Sequence, residues 1–288
     1  MPNSTSKIAK EINDQYFTPI ETAEWCFQQA ADLGWDLTGL AYEPCLGAAS
    51  FVDASLNLDL DLRWITNDPF PQPDEEPTFQ EDARKVFLPH RPDFIFTNPP
   101  FGQSNCLARG ILAHCLNECD RVAMVLPKGA RRMGFIDAQP QHAHLILDVN
   151  LPQEHFFLPT GETRTVSTCF QMWERKDTPR GKIRDTLDLR EDLITHWCSS
   201  KPNFADCDFQ VCRWGVMNKI RDELKQSGSW QSVKVGAGFT LDQVKNVVSQ
   251  VDVSDYLEKG TSVPAFDPLV WRHRVNTEAV KQGLLPAI

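Results

Sequence analysis

One junction constrains this chain more than any other. The run Phe94-Ile95-Phe96-Thr97 is apolar without alternation and stops at Asn98-Pro99-Pro100-Phe101-Gly102. An unbroken β-rich run of this length fits a strand buried on both faces, as in a parallel sheet covered by helices. Similar runs occur at Leu40–Glu43, Arg63–Thr66, Thr78–Gln80, Val122–Leu126, Leu145–Val149 and Thr165–Trp173. Between them lie segments of helical spacing. One follows Tyr16-Phe17-Thr18-Pro19 and runs through Trp25, Phe27 and Ala30 to Gly34, with Thr18 and Glu21 placed as a capping box. Another carries Leu107, Ile111 and Leu112 on one side. Strands alternating with helices predict an α/β fold with a mostly parallel sheet. Ligands of such sheets bind beyond the carboxyl ends of the strands, and polar residues follow the strands here at Glu43, Asp68, Asp82 and Asn98.

These strand ends suggest chemistry. Two prolines stiffen the turn after Thr97 and donate no hydrogen bonds. The Asn98 amide carbonyl and the Pro99 backbone carbonyl can then accept from an amine, and Phe101 offers a ring to stack on. Together they form a clamp for a planar substrate carrying an exocyclic amino group. The alternative is a plain strand-terminating turn. In Glu43-Pro44-Cys45-Leu46-Gly47-Ala48-Ala49 an acid closes a strand and small residues admit a ligand close to the backbone. Neither a Gly-x-Gly-x-x-Gly nor a Gly-Lys-Ser/Thr pattern is present there, and the carboxylate suits a cationic ligand better than a pyrophosphate. Asp68 is placed to bind ribose hydroxyls and Asp82 to accept from an adenine amino group, or each is a solvated loop acid.

Near Trp173 the character changes. A basic stretch, Arg175, Lys176, Arg180, Lys182 and Arg184, includes Pro179 and Gly181 and reads as a junction. We expect a domain over 1–175 and a smaller module over 176–288, with helices at Leu187–Trp197, Val216–Leu224 and Leu241–Val248. Thr240 and Gln243 form a second capping-box pattern. With 29 Lys and Arg against 39 Asp and Glu, the net charge is −10, which excludes a generally basic nucleic-acid coat but not a local groove. Lys128, Arg131 and Arg132, together with the junction, are the candidates for that groove, or else ordinary solvated charges. Trp197, Trp214 and Trp230 are expected to pack rather than stack on bases. The nine cysteines are scattered and match no metal-ligand spacing, so reduced thiols and no metal are expected. No apolar run approaches membrane length, and the first residues lack a signal-peptide pattern, so a cytoplasmic, non-membrane protein is expected.

Taken in order, these motifs resemble those of the S-adenosylmethionine-dependent adenine-N6 DNA methyltransferases, over residues 15 to 173. Asn98-Pro99-Pro100-Phe101 resembles their target-base motif, and Glu43-Pro44-Cys45-Leu46-Gly47 their methionine-binding loop, with Ala49 where that loop has a second glycine. The resemblance implies a Rossmann-like seven-stranded methyltransferase sheet with an antiparallel seventh strand. It also implies S-adenosylmethionine as cofactor, held by Phe17, Thr18, Pro19, Glu43, Pro44, Cys45, Gly47, Asp68 and Asp82. Catalysis would fall to Asn98, Pro99, Pro100 and Phe101, with Phe157 of the Leu151-Pro152…Phe157…Thr160-Gly161 stretch holding a flipped base. Lys128, Arg131, Arg132, Lys182 and Arg184 would contact DNA. The family further implies a bacterial or virus-infected host cell. RNA adenosine or a protein glutamine amide as substrate, and an inactive binding subunit, stay open, as does a homodimer or a partner subunit.

Overall fold

A computed structural model describes residues 15–198, 207–212, 218–224, 230–253 and 267–287. Two compact units divide at Gly181/Lys182. In the first, helix α1 (Ile20–Asp32) leads to β1 (Gly39–Glu43), α2 (Ser50–Asn57), β2 (Leu62–Thr66) and β3 (Phe94–Thr97). Helix α3 (Cys106–Glu118), β4 (Arg121–Pro127), the short α4 (Met133–Ile136) and β5 (Ala143–Asn150) follow. A hairpin of β6 (His155–Phe157) and β7 (Thr163–Thr165) precedes β8 (Thr168–Arg175).

The sheet order is β2-β1-β3-β4-β8-β5. Strands β2, β1, β3 and β4 are mutually parallel, and β8 runs antiparallel to both β4 and β5. The chain leaves β1 toward β2, then returns to the other side of β1 as β3. The carboxyl ends of β1 and β3 therefore lie side by side at the point where the winding reverses, the place where open α/β sheets bind ligands.

Side-chain alternation explains why both faces are covered. Phe94 and Phe96 of β3 join Phe27 of α1 and Phe51 of α2 in one core, while Ile95 joins Ile111, Leu112 and Cys115 of α3 in the other. Strand β4 does the same, with Ala123 and Val125 on one face and Val122, Met124 and Leu126 on the other. The Phe27 and Phe96 rings meet with centroids 4.5 Å apart, and both are fully buried. Truncating either to alanine costs about 3–5 kcal/mol by the usual cavity relation.

Five expectations change. The sheet has six strands, because the expected strand at Thr78–Gln80 is reduced to one parallel bridge, Asn67 to Phe79. Pro69, Pro71, Pro73 and Pro77 lack the N–H groups a longer ladder needs. Thr165 belongs to the hairpin rather than to β8. Thr18 does not cap α1. The N-cap is Pro19 with no side-chain cap, and Thr18 is used in the site described below. In the second unit, Leu187–Trp197 contains no α-helix. It ends in β9 (Ile194–Cys198), consistent with the β-branched and aromatic residues there. The described part of Val216–Leu224 holds β11 (Ile220–Arg221), not a helix.

That unit is a four-stranded antiparallel sheet, β11-β10-β12-β9, with β10 at Phe209–Cys212 and β12 at Trp230–Val235. Helices α5 (Leu241–Gln250) and α6 (Pro268–Lys281) share its core through Val244, Val247, Val248, Trp271 and Val275. The capping box on α5 forms as its pattern predicts. Thr240 accepts from the Gln243 N–H, and Gln243 accepts from the Thr240 N–H. Trp230 lies 4.1 Å from the Arg221 guanidinium, and Trp214 lies outside the described residues. Among the described residues no helix is long and apolar enough to cross a membrane, and no cluster of metal-ligating side chains occurs.

Candidate active site

A cleft of about 910 Å³ lies at the winding reversal. Strand β1 ends in its wall at Glu43, and β3 runs into it at Asn98. Of the expected site residues, Phe17, Thr18, Glu43, Cys45, Gly47, Asp68, Asp82, Asn98, Pro99, Pro100 and Phe101 all line it. Pro19 and Pro44 stand behind the wall. The Pro19 carbonyl accepts from the first free N–H groups of α1, and the Pro44 carbonyl accepts from Asn67.

The orientation of Asn98 follows from its partners. Its Nδ2 donates to the Tyr16 carbonyl at 2.9 Å and to Thr18 Oγ1 at 3.1 Å. A backbone carbonyl can only accept, so the NH₂ end must face Tyr16. The Oδ1 is then turned the other way as an acceptor. After it, Gly102 is fixed at φ +69°, and a Cβ there would stand 2.6 Å from Leu107 Cγ. The Phe101 carbonyl accepts from Leu107 and Ala108 N–H, welding the motif to the first turn of α3. Ser104 and Asn105 both take positive φ, so this turn holds strain.

Glu43 is the unusual group. It is 2% exposed, and its carboxyl accepts from the Cys45 N–H at 3.1 Å. No cation among the described residues pairs with it. Burial pushes its carboxyl well above the ordinary range, the Thr97 hydroxyl and the Cys45 N–H pull the other way, and nearby Asp68 adds to the rise. A buried carboxylate without a cationic partner is costly unless a bound cation supplies one.

The loop behind it is built by Asp68, which accepts from Gly47 N–H with one oxygen and from Phe70 N–H with the other, each at 2.8 Å. Asp68 thus organises the loop as well as facing the cleft. Asn67, fully buried, ties the carbonyls of Pro44 and Glu81 together and accepts from the Glu81 N–H. Gly47 sits at φ +56°, with Phe17 packed over it. Ala49 sits at φ +55°, in the left-handed region. An L-residue there costs about 1–2 kcal/mol, against about 0.5–1 kcal/mol of extra entropy loss for glycine. Ala49→Gly should therefore stabilise the protein modestly. A rise of about 1–3 °C in Tm follows from the usual scaling, and a calorimetric scan showing a lower Tm would refute the strain assignment.

Asp82 is less available than its position suggests. Arg84 grips it with Nε at 2.8 Å and Nη2 at 2.5 Å, and this holds its carboxyl at about 2. Phe157 does not line the cleft, but backbone hydrogen bonds of 2.7 and 3.0 Å pin it to Phe17. That places a half-exposed ring beside the residues that orient Asn98.

The expected basic groove is largely spent on structure. Lys128 pairs with Glu154 at 2.6 Å, and Arg131 with Asp148 and Asn150, each at 2.7 Å. Arg180 donates to the carbonyls of Ile136, Gln139 and Ala143. Arg132 is exposed beside α4, and Lys182 and Arg184 are exposed at the start of the second unit. Sequence reasoning did not single out Tyr16, Asn67 or Arg84. Tyr16 acts through its backbone and left no side-chain signal.

No family model matches the sequence, and no curated protein matches it. Solved structures share part of its chain path. A candidate RNA methyltransferase from Pyrococcus horikoshii is 15% identical over 56% of this chain and 87% of its own, with a TM-score of 0.44. The methyltransferase subunit of a type I restriction-modification system from Streptococcus thermophilus is 15% identical over 57% of this chain and 45% of its own, with a TM-score of 0.42. TrmN from Thermus thermophilus is 19% identical over 54% and 48%, with a TM-score of 0.39. This chain thus spans about half the length of the last two. The sheet itself is mixed, with parallel strands around the winding reversal and an antiparallel β8, and helices flank it.

Proposed function

We propose that this protein transfers a methyl group from S-adenosylmethionine to the exocyclic N6 amine of adenine in DNA. The observation that carries the reading is Asn98. Both its amide hydrogens are committed to Tyr16 and Thr18, so its carbonyl is held as an acceptor at the end of β3. An acceptor locked in this way, followed by the stiff Pro99-Pro100 and by Phe101, suits an amine on a flat ring. Such a base would leave its stack to enter the cleft.

The residues also fit the cofactor. Glu43 is a buried carboxylate lacking a cation, and a cleft of about 910 Å³ accommodates a nucleoside-sized ligand beside a base. Glu43, Gly47, Asp68 and Phe17 would hold it, with Asp82 toward its adenine. When bound, S-adenosylmethionine supplies an electrophilic methyl group. Asn98 Oδ1 and the Pro99 carbonyl accept the amine hydrogens, which keeps the nitrogen lone pair from full conjugation with the ring. Phe101 fixes the ring plane and excludes water. Alignment and fixed dipoles then supply the rate, and no protein nucleophile is required. The thiol of Cys45 is pushed up by burial, which disfavours a thiolate.

The test offers labelled S-adenosylmethionine with methyl-free DNA, RNA and cell protein in parallel. Label in DNA alone is expected. Label in RNA or protein alone would move the substrate assignment, and cofactor binding without label in any polymer would favour an inactive binding subunit.

A further inference from the structure

We infer that the flank of the substrate strand is held along the outside of α3, by residues other than those of the expected groove. This rests on the nucleic-acid reading above. The first unit carries the whole net charge of −10, since Lys and Arg balance Asp and Glu after residue 181. Within it, residues 83–117 invert the pattern. They hold Arg84, Lys85, Arg91 and Arg109, with His90 and His114, against the single acid Asp93. Arg84 pairs with Asp82 and Arg91 with Asp120, just outside the stretch, which leaves Lys85 and Arg109. Asp93 is turned to the amide of Leu40 on β1.

The structure assembles this stretch into one surface. A Cβ on Gly110 would stand 3.1 Å from Arg84 Cδ, so the absent side chain lets Arg84 lie across α3. One turn on, His114 Nε2 meets the Val86 carbonyl at 2.9 Å. Its ring faces that of Phe87 edge-on at 6.4 Å. Lys85 sits between these two points of contact, and Arg109 adjoins Gly110. Both are exposed, and neither has an ion-pair partner among the described residues.

Phe87 is 81% exposed, the most exposed large apolar side chain described. A ring left in water beside uncompensated cations is the combination that binds single-stranded nucleic acid: the cations meet phosphates and the ring meets a base. The surface also continues into the cleft, since Arg84 and Cys106 of the same elements line it. A strand whose adenine enters the cleft would have its neighbouring nucleotides over Lys85, Phe87 and Arg109. A docked protein segment would use Phe87 as an apolar anchor and would gain less from the cations.

The test is binding of a fluorescent, adenine-containing single-stranded oligodeoxynucleotide to the full chain, titrated across salt. Phe87→Ala should weaken binding about 5- to 100-fold and leave the log–log salt slope unchanged. Lys85→Gln and Arg109→Gln should each lower the slope by about 1. Circular dichroism and cofactor binding would verify that the variants fold. Wild-type binding that all three variants retain in full, with the same slope, overturns the surface assignment alone. Loss of binding in Phe87→Ala with both slopes unchanged in the glutamine variants also overturns it, in favour of an apolar docking site. A wild-type chain that binds no nucleic acid removes this surface and the nucleic-acid reading together.

Discussion

Asn98→Ala is expected to lower methyl transfer by about 10²- to 10³-fold, the effect of removing one preorganised hydrogen-bonding group from a reacting centre. Cofactor affinity should change only a few-fold, because Asn98 stands at the end of β3, whereas the cofactor loop is held by Asp68 and Asn67 on the far side of β1. Loss of Asn98 also frees Tyr16 and Thr18, so the alanine variant mixes two effects. Asn98→Asp separates them. It keeps an acceptor but sets carboxylate oxygen against the Tyr16 carbonyl, two acceptors with no hydrogen between them. It should be less stable than wild type yet less impaired in transfer than alanine, because an acceptor for the amine remains. Single-turnover rates with equilibrium dialysis of labelled cofactor provide the check. Undiminished transfer by the alanine variant would remove Asn98 from the chemistry.

Glu43→Gln should show the opposite trade. Burial raises the Glu43 carboxyl above its unfolded value, so in the unliganded protein the folded state holds that proton more tightly than the unfolded state. Stability from this group is full below the unfolded pKa and falls as pH rises through the folded one. Glutamine removes that loss. The unliganded variant should therefore be more stable than wild type at neutral pH, by about 2–4 °C in Tm for each kcal/mol recovered, and the difference should vanish near pH 4. Cofactor binding should suffer instead. A cation favours the ionised carboxyl, so in wild type binding releases a proton and strengthens with rising pH until Glu43 is ionised without it. In Glu43→Gln binding should be weak and lose this pH dependence. Calorimetric titration in buffers of different ionisation heat measures both. A destabilised variant that binds cofactor normally would show Glu43 to be a structural acid.

How much was legible in the sequence depends on range. Strands such as Phe94–Thr97 and Arg121–Pro127 announce themselves because burial on both faces writes an apolar run into the chain itself. The cleft followed, since polar residues at strand ends converge wherever the sheet reverses its winding. The failures are of another kind. The strand at Thr78–Gln80 had the right side chains, but prolines upstream removed the donors. Thr18 matched a capping pattern, yet a partner 80 residues away takes its hydroxyl. Lys128 and Arg131 look like phosphate ligands in sequence and are ion pairs in space. Composition counts charges, but it cannot tell which are already neutralised by a fold-dependent neighbour. Ile194–Cys198 shows the weaker limit of short segments, where helical and extended spacing overlap.

The central claim is the atom that receives the methyl group. DNA labelled by the wild-type chain, digested to nucleosides and resolved by chromatography with mass detection, identifies that atom directly. The account predicts label in N6-methyladenine, absent from a parallel digest made with Asn98→Ala. Label in a cytosine derivative, or N6-methyladenine formed equally by the variant, would contradict it.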